Sequence, residues 1–272
     1  MRSAVLCGLL LVSGLVSTSQ AQGVLWQLPE EDGTWVRFEG TYSQLIRRPD
    51  STQGDLSLQW RRNVTIKSVG TATGMFKGEE QPCRWIELKV ETGKTTEGVL
   101  DAGPGGVRIY KLLVPESAIR GTVNEPVGRG REIFASYIPF VRGYRKIGDE
   151  PEQELEGGVF QLYPTVSLLR HYRDLESSGG EQPYTVPAGN ISGTPYRGSI
   201  VMETPTFRSS NSAEIVRSED MPFGVAKWTA TTRTEEKGST DPRSEFRETG
   251  SISEELQAVA TGDGAESELL VN

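Results

Sequence analysis

The chain has one histidine, His171, and two cysteines, Cys7 and Cys83. A serine triad or a histidine-based metal site would have to be assembled around His171, because imidazole both exchanges protons near neutral pH and offers a neutral nitrogen ligand. No ligand-spaced partner accompanies it in Leu168-Leu169-Arg170-His171-Tyr172, so a packed or surface helix histidine is expected, with no metal and no cofactor. Cys83 precedes Arg84, whose charge could lower a thiol pKa, yet no papain-like or caspase-like signature surrounds it. An inert, buried cysteine is the expectation. The run Asp101-Ala102-Gly103-Pro104-Gly105-Gly106 lacks the Lys-Ser/Thr of a phosphate loop, and Arg108 behind it falls on a predicted strand, so it reads as a turn. Asn63-Val64-Thr65 and Asn190-Ile191-Ser192 match the glycosylation triplet, the first inside a predicted strand. The chain carries 37 Asp and Glu, and a catalytic carboxyl pair is defined by separation in space, so an exported carboxylate-dependent hydrolase remains one reading.

The more suggestive residues are apolar. Phe38, Tyr42, Trp60, Tyr110, Met202 and Trp228 fall on the apolar sides of predicted strands, and a strongly bent antiparallel sheet with such a face can hold an apolar or lipid-like ligand. The same residues can equally fill a core, because a cavity wall and a core wall look alike in sequence.

The elements that position them are read from alternation, since successive side chains of a strand face opposite sides. Leu56, Leu58, Trp60, Val64 and Ile66 share one face, interrupted by Arg62, over a run long enough to bend. Ile86, Leu88 and Val90 oppose Trp85, Glu87 and Lys89, and Val36, Phe38 and Tyr42 oppose Arg37, Glu39 and Thr41. Weaker strands are predicted over 107–114, 199–203, 213–217 and 225–232. Turns are predicted at 48–51, 92–94 and 101–106, where Gly, Pro, Asp and Ser concentrate. Helical signals are few: a short turn over 116–119 behind Pro115, and a helix over 165–175. Pro139 leaves 130–144 ambiguous. The expected fold class is therefore mainly β, a strongly bent antiparallel sheet or half-barrel with one or two short helices.

Arg2, an apolar stretch over 4–16 and the small residues of Ser19-Gln20-Ala21 read as a cleavable signal peptide over 1–21. Polar 17–20 ends the run too early to span a bilayer, and no later segment is long and apolar enough to do so. Export to the periplasm or the extracellular space follows, with Cys83 left as the one cysteine and no internal disulfide. Residues 22–234 read as a β-rich folded body, with sub-halves near 22–125 and 150–234. From 235 to 272 the chain is rich in Thr, Ser, Glu and Gly and poor in bulky apolar side chains, which predicts an acidic disordered tail. The net charge of −8 is concentrated there, with 4 basic and 10 acidic residues over 229–272. An acidic chain without a basic stripe lacks the footprint of a nucleic-acid binder.

The segments 61–70 (Arg-Arg-Asn-Val-Thr-Ile-Lys-Ser-Val-Gly), 83–89 (Cys-Arg-Trp-Ile-Glu-Leu-Lys), 110–116 (Tyr-Lys-Leu-Leu-Val-Pro-Glu) and 221–228 (Met-Pro-Phe-Gly-Val-Ala-Lys-Trp) resemble uncharacterised exported β-rich proteins of planctomycete-type bacteria. More distantly they are similar to periplasmic LolA-like lipoprotein carriers. That resemblance implies a sheet half-wrapped around an apolar hollow, with 165–175 as a lid. Two non-enzymatic readings stand: an exported protein of the cell envelope that binds an apolar ligand, and a structural or interaction module with a filled core. Amino-terminal sequencing of exported protein is expected to begin at Gln22; an intact Met1 would refute the leader.

Overall fold

The computed structural model describes residues 25–103, 106–119, 135–136, 138–160, 171–172 and 176–270. The predicted leader lies outside them, as does most of the predicted helix over 165–175. The strands in chain order are β1 (Trp35–Ile46), β2 (Leu56–Phe76), β3 (Glu79–Thr96), β4 (Val99–Asp101), β5 (Val107–Pro115), β6 (Ala135–Ser136), β7 (Ile138–Ile147) and β8 (Gln153–Phe160). They continue as β9 (His171–Tyr172), β10 (Glu176–Ser177), β11 (Gln182–Val186), β12 (Gly189–Glu203), β13 (Phe207–Arg217), β14 (Val225–Glu236) and β15 (Arg247–Gly262). One helical turn, α1 (Glu116–Ile119), follows Pro115 as expected, and a short 3-10 turn covers Arg243–Glu245. His171 and Tyr172, assigned to a helix from sequence, instead form a two-residue strand paired with Ala135 and Ser136.

Thirteen strands form one antiparallel sheet in the order β10-β12-β13-β14-β15-β1-β2-β3-β5-β7-β8, with β11 added on β12 and β4 on β3. This is the mainly β, open antiparallel architecture that alternation predicts. The two-residue hairpins explain why successive strands stay neighbours. Lys77-Gly78 and Glu97-Gly98 all take positive φ, the turn geometry whose twist matches that of the flanking strands. The expected turn at 92–94 is overturned by the same measure, because Thr92, Gly93 and Lys94 belong to β3. Glycine is required at 93 because a Cβ there would lie 1.9 Å from the Asp101 carbonyl oxygen. Near 69–70, β2 breaks register and Gly70 takes φ +135°, bending the long strand at a bulge.

The sheet is two meanders sewn together by β1 and β15, the first and last strands among the described residues. Twelve residues of β1 pair with β15 on one side and with β2 on the other. The acidic tail expected to be disordered is thus a central strand. Ile252, Glu254, Leu256 and Ala258 alternate onto the inner face, and both edges of β15 are hydrogen-bonded, to β14 and to β1. Composition misleads here because a central strand obtains its burial from its neighbours: fully buried Ala258 pairs with Phe38, and Leu256 pairs with Trp228. Gly40 lets the seam close tightly, since a Cβ at that position would meet the Glu255 carbonyl oxygen at 1.8 Å.

The inner face carries the core, with Val36 and Phe38 of β1, Ile66 of β2 and Leu88 of β3 all at 0% exposure. Because Leu256 is equally buried in the seam, Leu256→Ala is expected to cost about 2–5 kcal/mol, read as a lowered denaturation midpoint. Ending the chain after Glu236 should abolish the cooperative transition altogether, whereas loss of a disordered tail would leave it unchanged.

Candidate functional site

The register places Phe38, Tyr42, Trp60, Tyr110, Met202 and Trp228 on the same inner face of the one sheet. Phe38 and Trp228 meet with ring centroids 4.8 Å apart, and Tyr42 stacks on Trp60 at 5.6 Å. Tyr110, on β5 opposite Leu88, belongs to the same core cluster. Met202 does not join them: it pairs with Ser209 on β13 and is only half buried.

Beside these rings lies a pair of charges that the alternation only half revealed. Arg62 and Glu254 are 2% exposed or less, and Arg62 Nη1 stands 2.8 Å from Glu254 Oε2. Arg62 reaches across β1 at Gly40, its register partner, to a carboxylate two strands away. Its Nε–H donates to Thr92 Oγ1 at 2.9 Å and its guanidinium lies 3.9 Å over the Tyr42 ring. The Trp228 indole N–H donates to the other carboxylate oxygen, Glu254 Oε1, at 2.9 Å. Burial pushes the Glu254 carboxyl pKa up, opposed by Arg62 and the indole N–H. Its ionised form therefore carries a cost that is absent below the unfolded carboxyl pKa of about 4.3 and grows as pH rises. Arg62 was visible in sequence as the break in an apolar alternation; Glu254 was hidden by the acidic composition around it.

Among the described residues, an accessible concavity lies on the opposite face. A cleft of about 420 Å³ opens between the β10–β11 segment and the outer face of β13, β14 and β15. Tyr184 and Gln182 form one wall, and Lys227, Thr229, Glu255 and Gln257 rise from the sheet. Alternation produces this polar floor: Thr229 and Glu255 are the outward neighbours of buried Trp228 and Glu254. Gln182 Nε2 donates to Tyr184 Oη at 2.7 Å, and Lys227 Nζ sits 5.0 Å from the Tyr184 ring centroid. Arg197 and Glu214, 2.9 Å apart, stand at the rim with more than half of each side chain exposed, so their attraction is largely screened. A second, shallower depression shares Arg197, Glu214 and Thr229. This surface can hydrogen-bond a polar ligand. Sequence reasoning missed it because outward Thr, Gln, Lys and Glu are what any solvated strand face presents.

Other sequence candidates separate in space. Cys83 is fully buried with its thiol 3.5 Å from the Gln81 carbonyl oxygen, and burial, then the nearby Glu116 carboxylate, pushes its pKa up. Arg84 turns away toward Asp32 and Glu116. Gly103 N–H donates to Asp101 Oδ1, and the next element in the chain is the strand β5 rather than a helix. Asn63 is buried and Asn190 exposed. Among the described residues, no group of three or more His, Cys, Asp or Glu could hold a metal ion, and no helix is long and apolar enough to cross a membrane.

Replacing Glu254 alone by Met should cost about 3–5 kcal/mol, because it strands the Arg62 charge, whereas Arg62→Met with Glu254→Met should restore most of the loss; urea unfolding of the three variants checks this. Cys83 should resist a thiol-alkylating reagent in the folded protein and react once it is unfolded. No family model matches this chain, and no curated protein is matched by it.

Proposed function

We propose that the protein is an exported, non-enzymatic interaction module of the cell envelope, with a filled β interior as scaffold and the polar outer cleft as its contact site. The observation that carries this reading is the division of labour between the faces. The large inner-face side chains are spent on one another and on the Arg62–Glu254 pair, while the cleft floor of Lys227, Thr229, Glu255 and Gln257 faces outward, with Lys227 against the Tyr184 ring of the wall. A polar concavity of this size suits a hydroxyl-rich or peptide-like ligand bound by hydrogen bonds, not an acyl chain. Export rests on the charge, apolar run and small residues of the first 21 positions.

The apolar-carrier reading requires Phe38, Tyr42, Trp60, Tyr110, Met202 and Trp228 to line a hollow. The contact of Phe38 with Trp228 and their near-complete burial favour the filled-core alternative. The two are separated by a paired measurement. Phe38→Ala is expected to lose about 3–5 kcal/mol while wild type shows no saturable binding of a fluorescent acylated probe. Saturable probe binding that Phe38→Ala abolishes with little loss of stability would restore the carrier. For the cleft, a panel of short glycans and peptides should shift the backbone amide resonances of Lys227, Thr229 and Gln257 selectively, and Lys227→Ala with Gln257→Ala should remove the response without lowering stability.

A further inference from the structure

The chain past β15 does not run off into solvent. It turns at Gly264 (φ +74°), where the Ala265 N–H donates to the Gly33 carbonyl, and crosses the outer face of β2, β3, β5 and β7 as an irregular strap. The sheet receives it with side chains of three kinds. Glu87 of β3, 0% exposed, accepts hydrogen bonds from Ser267 Oγ at 2.7 Å and from the backbone N–H groups of Glu268 and Leu269 at 3.0 and 3.3 Å. Lys67 and Lys89 hold the Glu268 carboxylate at 2.6 and 2.9 Å, and Lys111 Nζ donates to the Leu269 carbonyl at 3.0 Å. Leu269, 0% exposed, fills an apolar pocket made by Ile109, Tyr144, Trp85 and Val107.

These groups read a sequence. Glu87 on the sheet has Lys67 as an ionic neighbour at 3.1 Å, and the strap supplies three further donors to its carboxylate. A buried carboxylate aimed at consecutive backbone N–H groups, two ammonium groups spaced for one carboxylate, and a pocket for one branched side chain together specify Ser-Glu-Leu. The pattern is that of peptide recognition, with backbone capture and a side-chain anchor. The strap also lies outside the sheet's ladder, so it can leave without breaking strand pairing. Burial works against the charged forms of Lys67 and Glu268, yet their mutual hydrogen bonds, with Glu87 and Lys89, outweigh it: Lys67 is raised and Glu268 lowered in pKa.

We propose that the outer face of β2, β3, β5 and β7 is a recognition site for an acidic Ser-Glu-Leu segment, filled here by residues 266–270 of the same chain and open to that segment of a second copy once the strap is released. Every copy carries the matching sequence, and Leu270, next to the buried Leu269, is 85% exposed. Tethering favours the chain's own strap through an effective concentration on the order of 1 mM, which keeps the site closed to a free segment.

The test uses the full chain with Leu269→Asp, which expels the anchor, and a labelled peptide of residues 264–272 followed by fluorescence anisotropy. Saturable binding at least about tenfold tighter to the variant than to wild type is expected, since the variant no longer competes in cis. Adding Glu87→Gln to the variant, or replacing the first leucine of the peptide by Asp, should weaken binding by a further factor of about ten. Absence of saturable binding to the folded variant up to about 1 mM peptide, or equal binding to wild type and variant, overturns the proposal. So does loss of the sheet signal in both Leu269→Asp and the milder Leu269→Ala, which would make the strap part of the fold rather than a removable ligand.

Discussion

The β1–β15 seam is the constraint on which the rest of the molecule depends. Each meander is local, built by hairpins that bring sequence neighbours together, but the seam joins residues more than 200 positions apart, such as Phe38 and Ala258. Without it the two meanders would each present an unpaired edge and a half-covered apolar face, the state that leads sheets to aggregate. The entropy of closing so long a loop rises only slowly with its length, whereas twelve paired residues and the burial of Phe38, Leu256 and Ala258 are gained at once. Folding of the whole sheet is therefore tied to the last strand.

The Arg62–Glu254 pair is placed where that seam must not slip. A shift of β15 by one residue would turn Glu254 outward and leave the Arg62 guanidinium buried without its carboxylate. Burial raises the pKa of Glu254, so the pair is a costly element of the core; what it adds is register. Gly40 serves the same seam differently, by letting the two backbones approach where any side chain would collide. Tyr42, stacked on Trp60 and covered by the Arg62 guanidinium, joins the ionic element to the aromatic one.

One sheet thus supports two different kinds of surface. The inner face is filled by contacts between strands of both meanders, and this fixes the outward side chains in rows. On β13 to β15 those rows are polar and, with the β10–β11 segment above them, make a cleft. On β3, β5 and β7 they include Trp85, Ile109 and Tyr144, apolar enough on an outer face to need cover, which Leu269 provides.

The periodicity of the sequence was enough to place β1, β2, β3, β5, β13 and β14 and to orient Phe38, Trp60 and Trp228 inward, because alternation is imposed locally by the pleat. It also marked Arg62 as an intruder on an apolar face. It could not show Glu254 as the partner, since that depends on which strand lies two places away. Composition made 235–272 look disordered because it counts the apolar atoms a segment carries; β15 is ordered by the large side chains its neighbours carry, together with hydrogen bonds on both edges. Thr92-Gly93-Lys94 looked like a turn for a related reason: glycine marks both a tight turn and a close approach of two backbones, and the carbonyl of Asp101 decides between them. The identity and facing of β1, β2, β5, β13, β14 and the first half of β3 were thus set by the sequence alone, whereas β15, the strand neighbours, the seam, the cleft and the strap's seat were decided by the tertiary structure, because each depends on contacts between residues far apart in the chain.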